Sequence, residues 1–160
     1  MRPRNPREQK QRRRRGFSLV ELLIVIAIIM IIAGIAIPQY NKAMMSARET
    51  AATRTMQTIH AMETQYYSQF GRYAANLAEL GPPASGTAGP AAADLISKDL
   101  SQGKNNGYTY TVQATPTGYS ITAVPEIFNN SGRRSFYSDQ TLQIHTSWTQ
   151  EPANANSPEK

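Results

Sequence analysis

The chain has 160 residues, a net charge of +6, 40% apolar residues and no cysteine. That length suits one modest domain. Without cysteine there are no disulfides, no Cys-ligated zinc, no iron–sulfur cluster and no thiol nucleophile.

The charge is unevenly placed. Residues 1–16 hold eight basic side chains and one acid, Glu8, a net +7 that leaves −1 for the other 144 residues. A uniformly basic, nucleic-acid-coating domain is excluded on that distribution. Residues 17–37 follow as FSLVELLIVIAIIMIIAGIAI, in which Ser18 and Glu21 are the polar side chains. About 20 apolar residues suffice for a helix to cross a bilayer. Basic residues packed before the run hold the N-terminus in the cytoplasm. A secretory signal would have a shorter core and a small-x-small cleavage site, whereas Ile37-Pro38-Gln39-Tyr40 follows here. A simple single-pass anchor fits hydropathy equally well.

Glu21 bears on that choice. A carboxylate in a membrane span costs about 2.5–3.5 kcal/mol at the bilayer centre and less near an end. One reading is a residue that snorkels to the interface or is protonated. The other supplies a partner charge. A cut after Gly16 would give Phe17 a free α-ammonium group four residues before Glu21, on the same helical face. Glu21 would also lie in the first turn, where the helix dipole favours a carboxylate. A neighbouring chain shifted along the axis offers its own amine to the same carboxylate, which makes the register specific.

The string Arg15-Gly16-Phe17-Ser18-Leu19-Val20-Glu21, the apolar run and Ile37-Pro38-Gln39-Tyr40 together resemble the class III leader and N-terminal helix of type IV pilins and type II secretion pseudopilins. The resemblance is strong over residues 12–41 and weaker to about residue 80. It implies cleavage between Gly16 and Phe17 by a prepilin peptidase, N-methylation of Phe17 by the same enzyme, and docking of each subunit into a filament through Glu21. It also implies partners: other copies of the chain and minor pilins, an inner-membrane assembly platform with its assembly ATPase, and membrane lipid. The subunit would reside in the inner membrane before assembly and in a periplasmic or cell-surface filament afterwards. Gly34 and Pro38 weaken the helix near its membrane exit, since Pro38 has no N–H for the carbonyl of Gly34. By family resemblance this stretch unwinds on packing. Type IV pilins often carry glycine where Met30 stands, so unwinding here would centre on Gly34.

Beyond Pro38, Met44, Ala47, Ala51, Ala52, Met56, Ile59, Met62, Tyr66 and Phe70 recur at spacings mostly of three and four, predicting an amphipathic helix over 39–70. Gly71 is the stop. The aromatic cluster Tyr66, Tyr67, Phe70 and Tyr73 reads as core packing. Residues 71–106 form a variable helix-to-sheet loop, with two short helical pieces around Leu77–Leu80 and Leu95–Leu100. From 107 the period becomes two: 108–114, 118–124, 134–138 and 142–148 predict a four-stranded antiparallel meander. The fold class is therefore α+β: a long N-terminal helix, membrane-spanning in its first half, packed on a small antiparallel four-stranded sheet. This is the layout that the resemblance to pilins implies. The polar, Pro-containing tail 149–160 predicts disorder.

No catalytic constellation emerges. His60 and His145 have no companion at metal-ligand spacing, and no nucleophile elbow or phosphate loop occurs. No metal, cofactor or enzymatic activity is expected. The Asp-Pro-Trp motif associated with pseudopilin calcium sites is missing, and Asp139 stands without nearby acids. Asn129-Asn130-Ser131 matches a glycan acceptor by pattern only. Arg133-Arg134 could meet DNA phosphates, but two arginines also suit a solvated turn, so no specific nucleic acid is expected. The leading function is a structural subunit of a type IV pilus. A type II secretion pseudopilin is the alternative, and a membrane-anchored binding protein the second.

Overall fold

A computed structural model describes residues 16–160, so the basic block 1–15 lies outside the described residues. The chain divides into two compact units, Met1–Pro38 and Gln39–Lys160. Helix α1, Leu19–Phe70, runs through both and keeps helical assignment past Gly34 and Pro38.

In the described part of the first unit, every side chain from Phe17 to Ile37 is exposed except half-buried Ala33. This helix is long and apolar enough to cross a membrane. Ser18 caps it. Its Oγ accepts from the N–H of Val20 at 3.4 Å, and Glu21 Oε2 accepts from the N–H of Ser18 at 2.9 Å. Ser-x-x-Glu is the capping-box spacing, which ties off N–H groups that have no intrahelical partner.

In the second unit, α1 buries Glu49, Ala52, Thr53, Met56, Ile59, His60, Glu63 and Tyr66. Their spacing of three and four is one helical stripe. Ala52, Met56, Ile59 and Tyr66 match the predicted core positions, whereas Met44 is exposed. Two short helices follow, α2 (Leu77–Leu80) and α3 (Lys98–Ser101). Asn76 Oδ1 caps α2 by accepting from the N–H groups of Ala78 and Glu79.

The sheet is antiparallel in the order β1-β2-β3-β4-β5: Lys104–Asn105, Tyr108–Thr115, Gly118–Pro125, Ser135–Asp139 and Ile144–Ser147. It has five strands, not the expected four. The extra strand is β1, which pairs Asn105 with Tyr108 across a two-residue turn. That turn is Asn106-Gly107, with φ of +51° and +78°, the left-handed pair a tight hairpin requires. One sheet face brings Tyr108, Tyr110, Val112, Tyr119, Ile121, Ala123 and Phe136 into the same core cluster as the α1 residues. Gly132 must lack a side chain, because an added Cβ would overlap the Tyr108 hydroxyl.

The tail departs from its expected disorder. The N–H of Thr146 donates to Pro158 O at 2.7 Å, and that of Lys160 to Ile144 O at 2.8 Å. Ser135 Oγ donates to Glu151 O and accepts from the N–H of Ala153, which is buried. Lys160 Nζ donates to Thr53 Oγ1 at 3.1 Å. The open edge of β5 offers unpaired backbone groups, and these bond to tail backbone whatever the tail's side-chain composition.

Candidate functional site

Two regions carry chemistry beyond packing. The first is the helix start. Gly16 and Phe17 precede α1, and Phe17 is 91% exposed. Glu21 sits in the first turn with its carboxylate on the Ser18 N–H. The Ser18 cap has its own sequence signal, Ser-x-x-Glu over 18–21, which hydropathy does not register.

The second region joins the early head turns of α1 to the loop 127–134. Glu49 is 5% exposed. Its Oε1 accepts from the backbone N–H of Arg133 at 2.8 Å. Its Oε2 accepts from Arg134 Nε at 2.8 Å and faces Nη2 at 2.7 Å. The Arg134 guanidinium lies 5.6 Å from the Phe136 ring centroid and 4.9 Å from that of Trp148. Arg133 and Arg134 are thus not an undifferentiated solvated turn: Arg134 is neutralised by Glu49, while Arg133 is exposed. Arg133 Nε donates to Asn129 Oδ1 at 3.1 Å, and Arg48 Nη1 to Asn130 O at 3.3 Å. Among the described residues, neither Arg48 nor Arg133 forms an ion pair. Arg48, Tyr40, Met44, Asn129 and Asn130 line a cavity of about 540 Å³. A second cavity, of about 570 Å³, shares Met44 and Arg48. The local result is a polar cleft lined by the Arg48 guanidinium, with exposed Arg133 tied to its rim through Asn129 and Glu126 lining the neighbouring cavity; guanidinium groups without an ion-pair partner suit an anion.

The buried titratable groups lie elsewhere along α1. His60 Nδ1 is 2.7 Å from Tyr119 Oη, and Nε2 is 2.8 Å from Ser138 Oγ. Ser138 Oγ donates to Gln143 O at 2.6 Å, so it receives the proton of His60 Nε2, and His60 Nδ1 accepts from Tyr119. That pairing fits the neutral ring, and burial holds its pKa below the usual histidine value. Glu63 is fully buried; Oε2 accepts from the N–H of Ala74 at 2.9 Å, and Oε1 has no hydrogen-bond partner. No group of three potential metal ligands is found among the described residues.

Two family models match the chain. The Prokaryotic N-terminal methylation motif matches residues 11–37. The model described as Type IV minor pilin ComP, DNA uptake sequence receptor, matches residues 38–135. The second match spans more than half of the chain, and the chain belongs to this type IV pilin family. Among curated relatives, the Type IV major pilin protein PilA of Myxococcus xanthus is 36% identical over 69 residues, 43% of this chain and 31% of that protein. The Type IV wide pilus major component PilA4 of Thermus thermophilus is 38% identical over 69 residues, 43% of this chain and 53% of that protein. A Fimbrial protein of Pseudomonas aeruginosa is 50% identical over 50 residues, 31% of this chain and 30% of that protein. The chain thus spans roughly a third to a half of the length of these relatives.

Proposed function

We propose that this protein is a structural subunit of a type IV pilus. A prepilin peptidase cuts between Gly16 and Phe17 and methylates Phe17. The assembly platform and its ATPase then draw the chain from the inner membrane into the filament beside other pilins. The observation that carries this reading is a methylation-motif match over residues 11–37, whose apolar helical part is left exposed by the chain's own fold. Such a surface needs lipid or neighbouring apolar helices. Glu21 docks the incoming subunit by accepting a neighbour's Phe17 ammonium group, which competes with the Ser18 N–H for the same carboxylate. Gly34 and Pro38 supply the stretch that unwinds on packing. Mass spectrometry of native protein should find a chain starting at Phe17 with one added methyl group. Glu21→Ala should leave a processed subunit absent from sheared filaments. Retention of residues 1–16 in mature protein would overturn the reading in favour of a membrane-anchored binding protein.

A second activity rests on the cleft described above. We infer that the head captures DNA there, as the family description suggests for its members. The head's charge balance gives no general nucleic-acid footprint, so binding depends on a few placed groups. Arg48 and Arg133 are those groups, with Asn129 and Asn130 as neighbouring hydrogen-bonding partners. Arg133→Gln should weaken binding of a DNA duplex several-fold. It should also lower the slope of log affinity against log salt by about 1, as loss of one phosphate contact does. An unchanged slope would remove Arg133 from the site.

A further inference from the structure

Trp148 is the chain's one tryptophan, and it is 64% exposed. It lies beyond the segment matched by the family model. Single exposed apolar side chains are common, and Ile127 and Leu142 are about as exposed as this one; what sets Trp148 apart is what holds its ring. One face of the indole is covered by the Arg134 guanidinium at 4.9 Å. That guanidinium is fixed by Glu49 on α1 and backed by Phe136. A cation stacked on an indole holds the ring in place. The ring is therefore braced on one side and open on the other, and binding to the open face loses little side-chain entropy. Ser147, Thr149 and Gln150 flank it with polar, uncharged side chains. A flat, polar-edged ring fits this setting better than an apolar protein surface. The exposed Arg133 next to Arg134 supplies positive charge in the same segment.

We propose that Trp148 is the stacking residue of the DNA-binding face, its open ring inserted against a base step while Arg48 and Arg133 hold phosphates. This rests on the DNA-capture reading above. Aromatic wedges of this kind partly unstack a duplex and add affinity without neutralising phosphate. Trp148 should therefore contribute to affinity and leave the salt dependence unchanged.

Because Trp148 is the single indole, its fluorescence reports on the site directly. The processed full chain in nonionic detergent is titrated with a short mixed-sequence DNA duplex, and with heparin as a polyanion that has no bases. The duplex should quench Trp148 emission, and heparin should bind without comparable quenching. Trp148→Ala should weaken duplex binding about tenfold, the scale of one stacked base, at an unchanged salt slope. Trp148→Phe should recover most of that loss, which tests the ring rather than the support it gives Arg134. Duplex binding with unmoved fluorescence and wild-type affinity in Trp148→Ala would overturn the stacking role and leave DNA capture standing. A Trp148→Ala defect that appears as a reduced salt slope would also overturn it, because the residue would then act through Arg134. Failure of the wild-type chain to bind the duplex at low salt would overturn DNA capture itself, and the stacking role with it.

Discussion

Glu49→Ala will destabilise the head by about 3 kcal/mol, the cost of removing one partner from a largely buried ion pair. The Glu49 side chain is 7% exposed and that of Arg134 21%. Without the carboxylate, Arg134 stays pressed between Phe136 and Trp148 with no counter-charge. The backbone N–H of Arg133 also loses its acceptor, and an unmade bond of that kind costs about 1–3 kcal/mol by itself. Thermal unfolding followed by Trp148 fluorescence should shift down by about 10 °C for a head of this size. Glu49→Gln, which keeps an acceptor but loses the charge, should fall between. Replacing both partners, as Glu49→Leu with Arg134→Met, should recover much of the loss, since a buried pair often gives way to apolar packing at little cost. A shift below about 2 °C for Glu49→Ala would mean that water replaces the carboxylate freely.

Much of the fold was legible because its signals are local. The change of hydrophobic period near residue 107 places β2 to β5 within a residue or two. Gly71 marks the end of α1. β1 was missed although Asn106-Gly107 is a strong hairpin signal; with only two strand residues before it, no alternation exists to detect. The tail was misread because composition reports side chains, whereas its attachment to β5 is largely through backbone groups. The inward polar residues of α1 were hidden for a different reason. Glu49 meets Arg133 and Arg134 some 84 and 85 residues away, and His60 meets Tyr119 and Ser138 at 59 and 78. Their positions fall on the buried stripe, but a charged residue there reads as a boundary of the apolar face until its distant partner is known. The stacking of Arg134 on Trp148 is illegible in the same way: it arises because β4 and β5 pair Ser135 with Ser147, which sets the next residues out side by side.

Glu63→Gln will make the head more stable at pH 8 and leave it unchanged near pH 4. Burial pushes the Glu63 pKa up from 4.5 to about 7, against the Ala74 N–H and Arg72, which lower it; Glu79 adds to the rise. In the unfolded chain the group returns to an ordinary carboxylate value. Below pH 4.5 it is protonated in both states and carries no penalty. Between 4.5 and 7 the unfolded state sheds its proton first, so folding stability falls as pH rises. Above 7 the folded head holds a buried carboxylate with Oε1 unpartnered, and the loss is complete. After allowance for screening, that loss is about 2 kcal/mol. Glutamine keeps the acceptor for Ala74 and never ionises. The difference between Glu63→Gln and wild type should therefore be near zero at pH 4, rise through pH 5–7, and level off at about 2 kcal/mol. His60 opposes this trend in wild type. Its lowered pKa makes the folded state resist protonation, so its contribution is present above pH 6.5 and lost on acidification. Both proteins carry His60, so the difference between them isolates Glu63. Denaturant titrations at several pH values, followed by Trp148 fluorescence, would read that difference. A gain that is the same at every pH would mean that Glu63 is not ionising inside the head, and that packing alone sets the effect.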